Sequence, residues 1–473
     1  MTVHSPRVSD ARARRLAATL YGYAFLTELV LLYPLYALLF SDTGLSVWQI
    51  SSLFVIWSAA SILLEVPSGA FADAVSRRLL LSLAPVVTAA GFALWVLVPS
   101  YPAFAVGFVL WGAGGALASG ALEALVFTEL DRLGAAGRYA RVIGRAKTAG
   151  TLGVLTSILL AGPVYAAGGY LAVGVASVFA CLLAAALATR LPEHRRPAPA
   201  DVATATRLPE YHRTAPAPAD AVPACVDAVP ACADAVLACA APAPAPAGPA
   251  CAAGVVDGGP ERTGRDVGAD DDEDLGWWAS LRAGFAEIHA DRAVRAAVLL
   301  VAVVAAVWGA LDEYTPLLAR DTGVGEATVP LLLLLTWVGV GVGGLLAPMG
   351  ERLTVRGYAG LLALSALALA AGALLVRPVG FVLVGAAFCG FQLATVLADA
   401  RLQARITGGS RATVTSLAGM ATDVTIIGVY GGYGLLATGA GNGVAFAVAA
   451  VPYLIVALLL VITCTGPARP RRR

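Results

Sequence analysis

Apolar residues run along this chain in long blocks, each close to the roughly 20 residues a helix needs to cross the ~30 Å hydrocarbon core of a bilayer. Charges and turn residues separate the blocks. Six of them precede residue 191, at 17 to 40, 47 to 71, 79 to 99, 102 to 128, 144 to 166 and 169 to 189. Six more follow residue 292, at 293 to 318, 327 to 349, 357 to 376, 379 to 400, 412 to 437 and 442 to 464. The pattern predicts an all-α membrane protein of twelve transmembrane helices in two six-helix bundles, residues 1-190 and 293-473.

Between the bundles the pattern changes. Residues 191-274 turn to Ala, Pro, Asp and Cys, with tandem copies: "RLPEHRRPAPAD" against "RLPEYHRTAPAPAD", then "DAVPACV", "DAVPACA" and "DAVLACA". Repeats this short and Pro-rich cannot bury a core, so a disordered cytoplasmic linker is expected. Its cysteines at 225, 232 and 239 follow the repeat period and not a C-x-x-C pattern, so no metal site is read there. Over 275-292, Leu275, Trp278, Leu281, Phe285 and Ile288 fall at helical spacing, which predicts an amphipathic helix at the membrane surface.

Composition agrees with the hydropathy pattern. The chain is 59% hydrophobic and 13% charged, with a mean hydropathy of +0.78, too apolar for a soluble protein. A formal net charge of +1 excludes a strongly basic nucleic-acid binder. Arginines then orient the spans, because short cytoplasmic loops are enriched in basic residues. With the N-terminus inside, inner segments carry Arg12, Arg14 and Arg15, then Arg77 and Arg78, Arg132, Arg138 and Arg141, Arg352 and Arg356, Arg401, Arg405 and Arg411, and the tail "RPRRR". The outer loops hold Arg320 and Arg377. A multi-pass plasma-membrane protein with both termini cytoplasmic is expected, its first span an uncleaved one, since that segment is too long for a signal peptide.

Two outer segments match. "LLFSDTGLS" and "LLARDTGVG" place Asp42-Thr43-Gly44 and Asp321-Thr322-Gly323 at the same topological position of each half. This indicates an internal duplication, with the halves related by an axis along the membrane normal. The stretch "GAFADAVSRR" at 69 to 78 then resembles the loop between the second and third spans of the major facilitator superfamily: Gly69, Asp73, Arg77 and Arg78 match its pattern, while Ala74 and Ser76 replace a basic residue and a glycine. The upstream "LLEVPSG" and the later "RATVTSLAGM" are similar to drug-exporter, proton-antiporter members of that superfamily. Gly162, Pro163, Gly168 and Gly169 echo the antiporter signature of the fifth span, and Trp111 stands where many such exporters carry an arginine nearby.

The resemblance implies a conformational latch at Gly69, Asp73, Arg77 and Arg78. The carboxylate would meet the N-terminus of the eleventh span near Arg411, where a helix dipole favours negative charge. Arg77 and Arg78 would pair with acids of their own half, such as Asp131, holding the outward-open state.

Ionisable groups inside a membrane cost roughly 2.5 to 3.5 kcal/mol each on insertion scales and are default functional candidates. Glu28 and Asp423 fall at depths of roughly 15 and 18 Å by the helical rise. Tyr36 shares a face with Glu28, and Tyr430 with Asp423. Asp312 and Glu313, with Trp308 a turn before them, complete the expected cavity, and Glu65 and Glu123 are weaker candidates. Carboxylates and aromatics without a basic residue at that depth suit cationic or neutral amphiphiles. A desolvated carboxylate also takes up protons more readily, so exchange of a proton for a cation at Glu28 or Asp423 is expected.

The function expected is therefore secondary active transport, in the form of proton-coupled efflux of hydrophobic or cationic small molecules by alternating access. A specific metabolite importer or exchanger is the alternative, and a non-transporting sensor or scaffold a more distant one. The sequence carries no Walker loop, H-E-x-x-H or G-x-S-x-G motif and no His or Cys cluster in the spans, so catalytic residues, metal and cofactor are not expected, the proton gradient serving as energy source. The expected partners are a small-molecule substrate and the bilayer, with the chain functional as a monomer.

Overall fold

In hydrocarbon every backbone N–H and C=O must be satisfied within the segment, which leaves long apolar runs to fold as helices. A computed structural model describes residues 6–119, 121–194, 292–405 and 411–465, with side chains except at 6–9, 65–74, 411–413 and 463–465; no strand occurs among the described residues. The linker repeats and the amphipathic segment lie outside the described residues, except that 191–194 pack onto the N-terminal bundle: Leu191 is buried and His194 bonds to Glu129.

The described residues form twelve spans. The first comprises Pro6–Glu28 and Tyr36–Asp42, the second Val47–Ala74, the third Arg77–Leu97, and the fourth Tyr101–Ala118 with Ala121–Arg132. The fifth and sixth form one 50-residue element, Tyr139–Ala188, folded back at Gly168 and Gly169. Left straight, that element would reach about 75 Å at the helical rise, more than twice the hydrocarbon thickness, so the reversal is required. In the second half, Arg292–Asp312 and Thr315–Asp321 form the seventh span, Val329–Leu345 and Ala347–Gly350 the eighth, and Val355–Leu374 the ninth. Gly380–Gln403, Arg411–Ala440 and the pair Asn442–Ala449 and Val451–Thr465 complete the tenth to twelfth.

The first and seventh spans were expected to be continuous. Both are broken at equivalent places, between Glu28 and Tyr36 and between Asp312 and Thr315. Proline explains each break, since it lacks the N–H that would close the ladder and crowds the carbonyl one turn earlier. Pro34 interrupts the first span, where the Leu32 amide turns to Ser177 Oγ of the sixth span at 3.0 Å. Pro316 interrupts the seventh, and the Thr315 hydroxyl donates to the Asp312 carbonyl at 2.6 Å in place of the missing amide.

One large apolar core joins the two halves around Phe40, Phe54 and Phe108 on one side and Leu311, Tyr314 and Tyr433 on the other. Toward the arginine-rich end the core divides. One cluster there belongs only to the N-terminal half, around Leu16, Leu20 and Leu125, and another only to the C-terminal half, around Val294, Val301 and Leu402. Burial along the facing second and eleventh spans falls in the same direction: Ser51, Leu53 and Phe54 are buried while 55–64 are not, and Tyr430, Tyr433 and Gly434 are buried while 421–429 are not.

Candidate functional site

The two helix breaks bring acids and rings to one place. A central cavity of about 350 Å³ is lined by Glu28 from the end of the first-span helix and by Asp312 and Glu313 at the break of the seventh. The carbonyl end of a helix carries partial negative charge and favours cations, so two helix C-termini reinforce the field of three carboxylates. Among the described residues that line this cavity none is arginine, lysine or histidine.

Its wall is aromatic. Tyr33 stacks on Trp111 with centroids 5.3 Å apart and planes at 16°, and Trp111 stacks on Trp57 at 4.8 Å and 22°. Trp337 of the eighth span also lines the cavity. Tyr36 meets Trp111 edge-on and packs against Phe54 and Phe108. Its side chain is 3% exposed and its hydroxyl has no hydrogen-bond partner in the protein. A second cavity, of about 280 Å³, shares Trp57 and Glu313 with the first and adds Asp423 and Tyr430. Trp57 thus lies between the central cavity and the space bordered by Asp423.

Glu28, Asp312, Glu313 and Tyr36 come together at the central cavity, and Asp423 and Tyr430 adjoin it. Trp308 does not line it. Its indole donates to Thr395 Oγ1 at 3.1 Å and packs edge-on against Phe388, inside the C-terminal bundle; spacing along a helix could not tell the face toward the cavity from the face toward neighbouring helices. Glu123 is exposed in the first turn of Ala121–Arg132, away from the lining. Gly69, Asp73 and Glu65 belong to the helical backbone of the second span, but their side chains lie outside the described residues, as does the segment before Arg411. Arg77 donates to Ala124 O and Thr128 Oγ1 at 3.3 and 3.1 Å, and its amide to Glu193 at 2.7 Å, which ties the third span to the fourth and to the segment that follows the sixth. Arg78 is exposed.

The duplicated Asp-Thr-Gly segments share one geometry. Each threonine hydroxyl donates 2.7 Å to the carbonyl three residues back, and Gly44 and Gly323 take positive φ of 88° and 84°. Each aspartate is also held by the start of the last span of its half: Asp42 by the Tyr170 hydroxyl, Asp321 by Asn442 Nδ2 at 2.8 Å. The halves are then joined at this end. Arg320 donates to Asp42 and Ser41, the Tyr165 hydroxyl to Glu326, and the Tyr314 hydroxyl to Ser51 Oγ at 2.7 Å. Gly162 lets the backbones touch, since a Cβ there would stand 2.3 Å from the Ala327 carbonyl oxygen.

Sequence reasoning missed Trp57, Trp337 and the prolines at the breaks. The prolines were a visible signal; the convergence of the tryptophans was not, because the second, fourth and eighth spans are far apart in sequence.

The family model of the Major Facilitator Superfamily matches residues 17–429. No curated protein matches the sequence. Among solved structures, the nucleoside transporter NupG superposes with a TM-score of 0.65 at 11% identity, covering 96% of this chain and 100% of that one. A bacterial homologue of the human lysosomal transporter Spinster, inward-facing and unoccupied, gives 0.58 at 14% identity, with 96% and 95% covered. A D-xylose–proton symporter gives 0.58 at 15%, with 95% and 97% covered. At these identities the likenesses speak for the fold, and with the family match over most of the chain they lead to one conclusion: the protein is a multi-pass membrane transporter of the Major Facilitator Superfamily.

Proposed function

We propose that the protein exports cationic, hydrophobic small molecules in exchange for protons, as a drug-exporter type of this superfamily. The observation that carries this reading is the pairing of Glu28, Asp312 and Glu313 with the Tyr33–Trp111–Trp57 stack around a single cavity whose described lining contains no basic residue. Carboxylates supply the charge a cation needs, and ring faces attract cations and apolar bodies alike. Protons and substrate compete for the same oxygens: a protonated site releases the cation, and a cation displaces the proton.

The arginine-rich end is cytoplasmic in this reading, with both termini inside the plasma membrane and one chain forming the whole cavity. The halves joined at the Asp42 end and parted at the other then correspond to an inward-facing state, ready to take substrate from the cytoplasm. Rocking about the central core would break the Arg320–Asp42 contact and form the latch at Asp73, Arg77 and Arg78.

A second reading, a specific metabolite importer or exchanger, is favoured by the buried Tyr36 hydroxyl, which fits a substrate polar group, and by the likeness in fold to a nucleoside transporter and a D-xylose–proton symporter. Proteoliposomes with an imposed pH gradient separate the two. Wild type is expected to accumulate a fluorescent lipophilic cation, and Glu28→Gln, Asp312→Asn and Glu313→Gln each to lower accumulation about tenfold or more, the equivalent of about 1.4 kcal/mol. If wild type moves no such cation but takes up labelled nucleosides or pentoses, the export reading is wrong and the metabolite carrier stands.

A further inference from the structure

A third cavity, of about 390 Å³, lies wholly within the N-terminal half at the arginine-rich end, apart from the transport site. Arg12 and Arg15 reach it from one face of the first span, Arg132 from the end of the fourth, and Arg190 from the end of the sixth. Four arginines therefore line one space from three elements. Against them stands Glu129, 4% exposed, whose carboxylate already accepts from the His194 amide at 2.9 Å and lies 3.0 Å from the His194 ring nitrogen Nδ1. Orienting the spans requires basic residues near their ends but does not require them to face one another across a cavity. The lining adds apolar surface from Leu16, Leu133 and Pro192 beside the arginines.

We propose that this cavity binds a phosphate-bearing anion at the membrane interface. Arginine is the side chain best fitted to phosphate, through paired N–H donors, and basic pockets between transmembrane helices are suited to anionic head groups. The phosphate can come from a phospholipid head group or from a free phosphate in the aqueous phase. Because the cavity joins the first, fourth and sixth spans, its occupant ties the ends of these three helices together.

Native mass spectrometry of the full chain tests this, comparing retention of phosphatidylglycerol with retention of phosphatidylcholine. Wild type is expected to keep phosphatidylglycerol preferentially, and the double variant Arg15→Gln with Arg132→Gln to bind it roughly thirtyfold more weakly, about fivefold for each charge removed near an anionic surface. Two controls accompany it: Arg15→Lys with Arg132→Lys keeps the charge, and Arg352→Gln with Arg356→Gln removes equal charge from the other half at the same end. Both controls should retain phosphatidylglycerol to within a fewfold of wild type. Lipid-free protein in detergent is then melted with and without inorganic phosphate; a rise in Tm that the double glutamine variant loses supports the site with a free phosphate as its source. Equal phosphatidylglycerol binding by wild type and the double glutamine variant, with no phosphate effect on Tm, overturns the proposal. So does an equal loss in the Arg352 and Arg356 control, which would reduce the effect to general surface charge.

Discussion

Tyr36 carries the sharpest consequence at the level of a single residue. A buried hydroxyl without a partner costs about 1–3 kcal/mol, and this one sits among rings at the edge of the central cavity. Tyr36→Phe is expected to leave the empty protein as stable as wild type or more so, and to raise the substrate KM about fivefold, the worth of one hydrogen bond of about 1 kcal/mol. Melting curves and uptake kinetics on the same preparation check both halves of the statement; a drop in Tm with unchanged KM would reduce Tyr36 to a packing residue. The meeting of these acids was partly legible in the sequence, because an acid inside an apolar run stands out from its neighbours: Glu28, Asp312 and Glu313 line the central cavity and Asp423 the one beside it. Trp308 was misplaced for the opposite reason. A tryptophan in an apolar run has many equally good uses, and here its indole is taken up by Thr395.

Among the elements, the first and seventh spans differ most from the sequence reading. Hydropathy sees each as one apolar block and is blind to a missing amide, so the breaks at Pro34 and Pro316 do not register in it. The duplicated Asp-Thr-Gly segments were legible as a repeat, yet their work was not: they pin each half's first span to its last, and the position just before each aspartate, Ser41 in one copy and Arg320 in the other, supplies the cation that crosses between halves. Arg320 and Asp42 are 30% and 32% exposed, so their contact is worth at most about 1 kcal/mol. Arg320→Ala is therefore expected to shift the balance toward the state parted at the Asp42 end by about fivefold and no more. Thiol labelling reads this: in a Ser51→Cys background, a site buried in the present state, the Arg320→Ala change should speed modification, and Asp42→Arg combined with Arg320→Asp should slow it again. Unaltered labelling in the single variant would remove the pair from the gate.

On the scale of the whole molecule, the twelve-span architecture followed from hydropathy and arginine placement alone, because hydrocarbon leaves the backbone so few options. What could not be read was the state: one apolar core shared at the Asp42 end and two separate cores at the other are a matter of contact between halves, which spacing does not encode. In the proposed exchange, competition between protons and substrate gives a pH dependence with a definite sign. Protonation removes the negative charge that holds the cation, so affinity is expected to be highest in alkaline medium and to fall as pH drops, with Glu313→Gln flattening the curve; equilibrium binding of the lipophilic cation across that range measures it, and a flat wild-type curve would count against exchange. The division of the carboxylates has one further result. Glu28 belongs to one half and Asp312 and Glu313 to the other, so sealing the cavity while all three are ionised would confine like charges in a space from which water is being driven. Either bound protons or a bound cation lifts that repulsion, whereas an empty, ionised carrier gains nothing to offset it. The unloaded protein should consequently resist cycling, and the proton gradient should dissipate slowly through it when substrate is absent: a carrier with little slip.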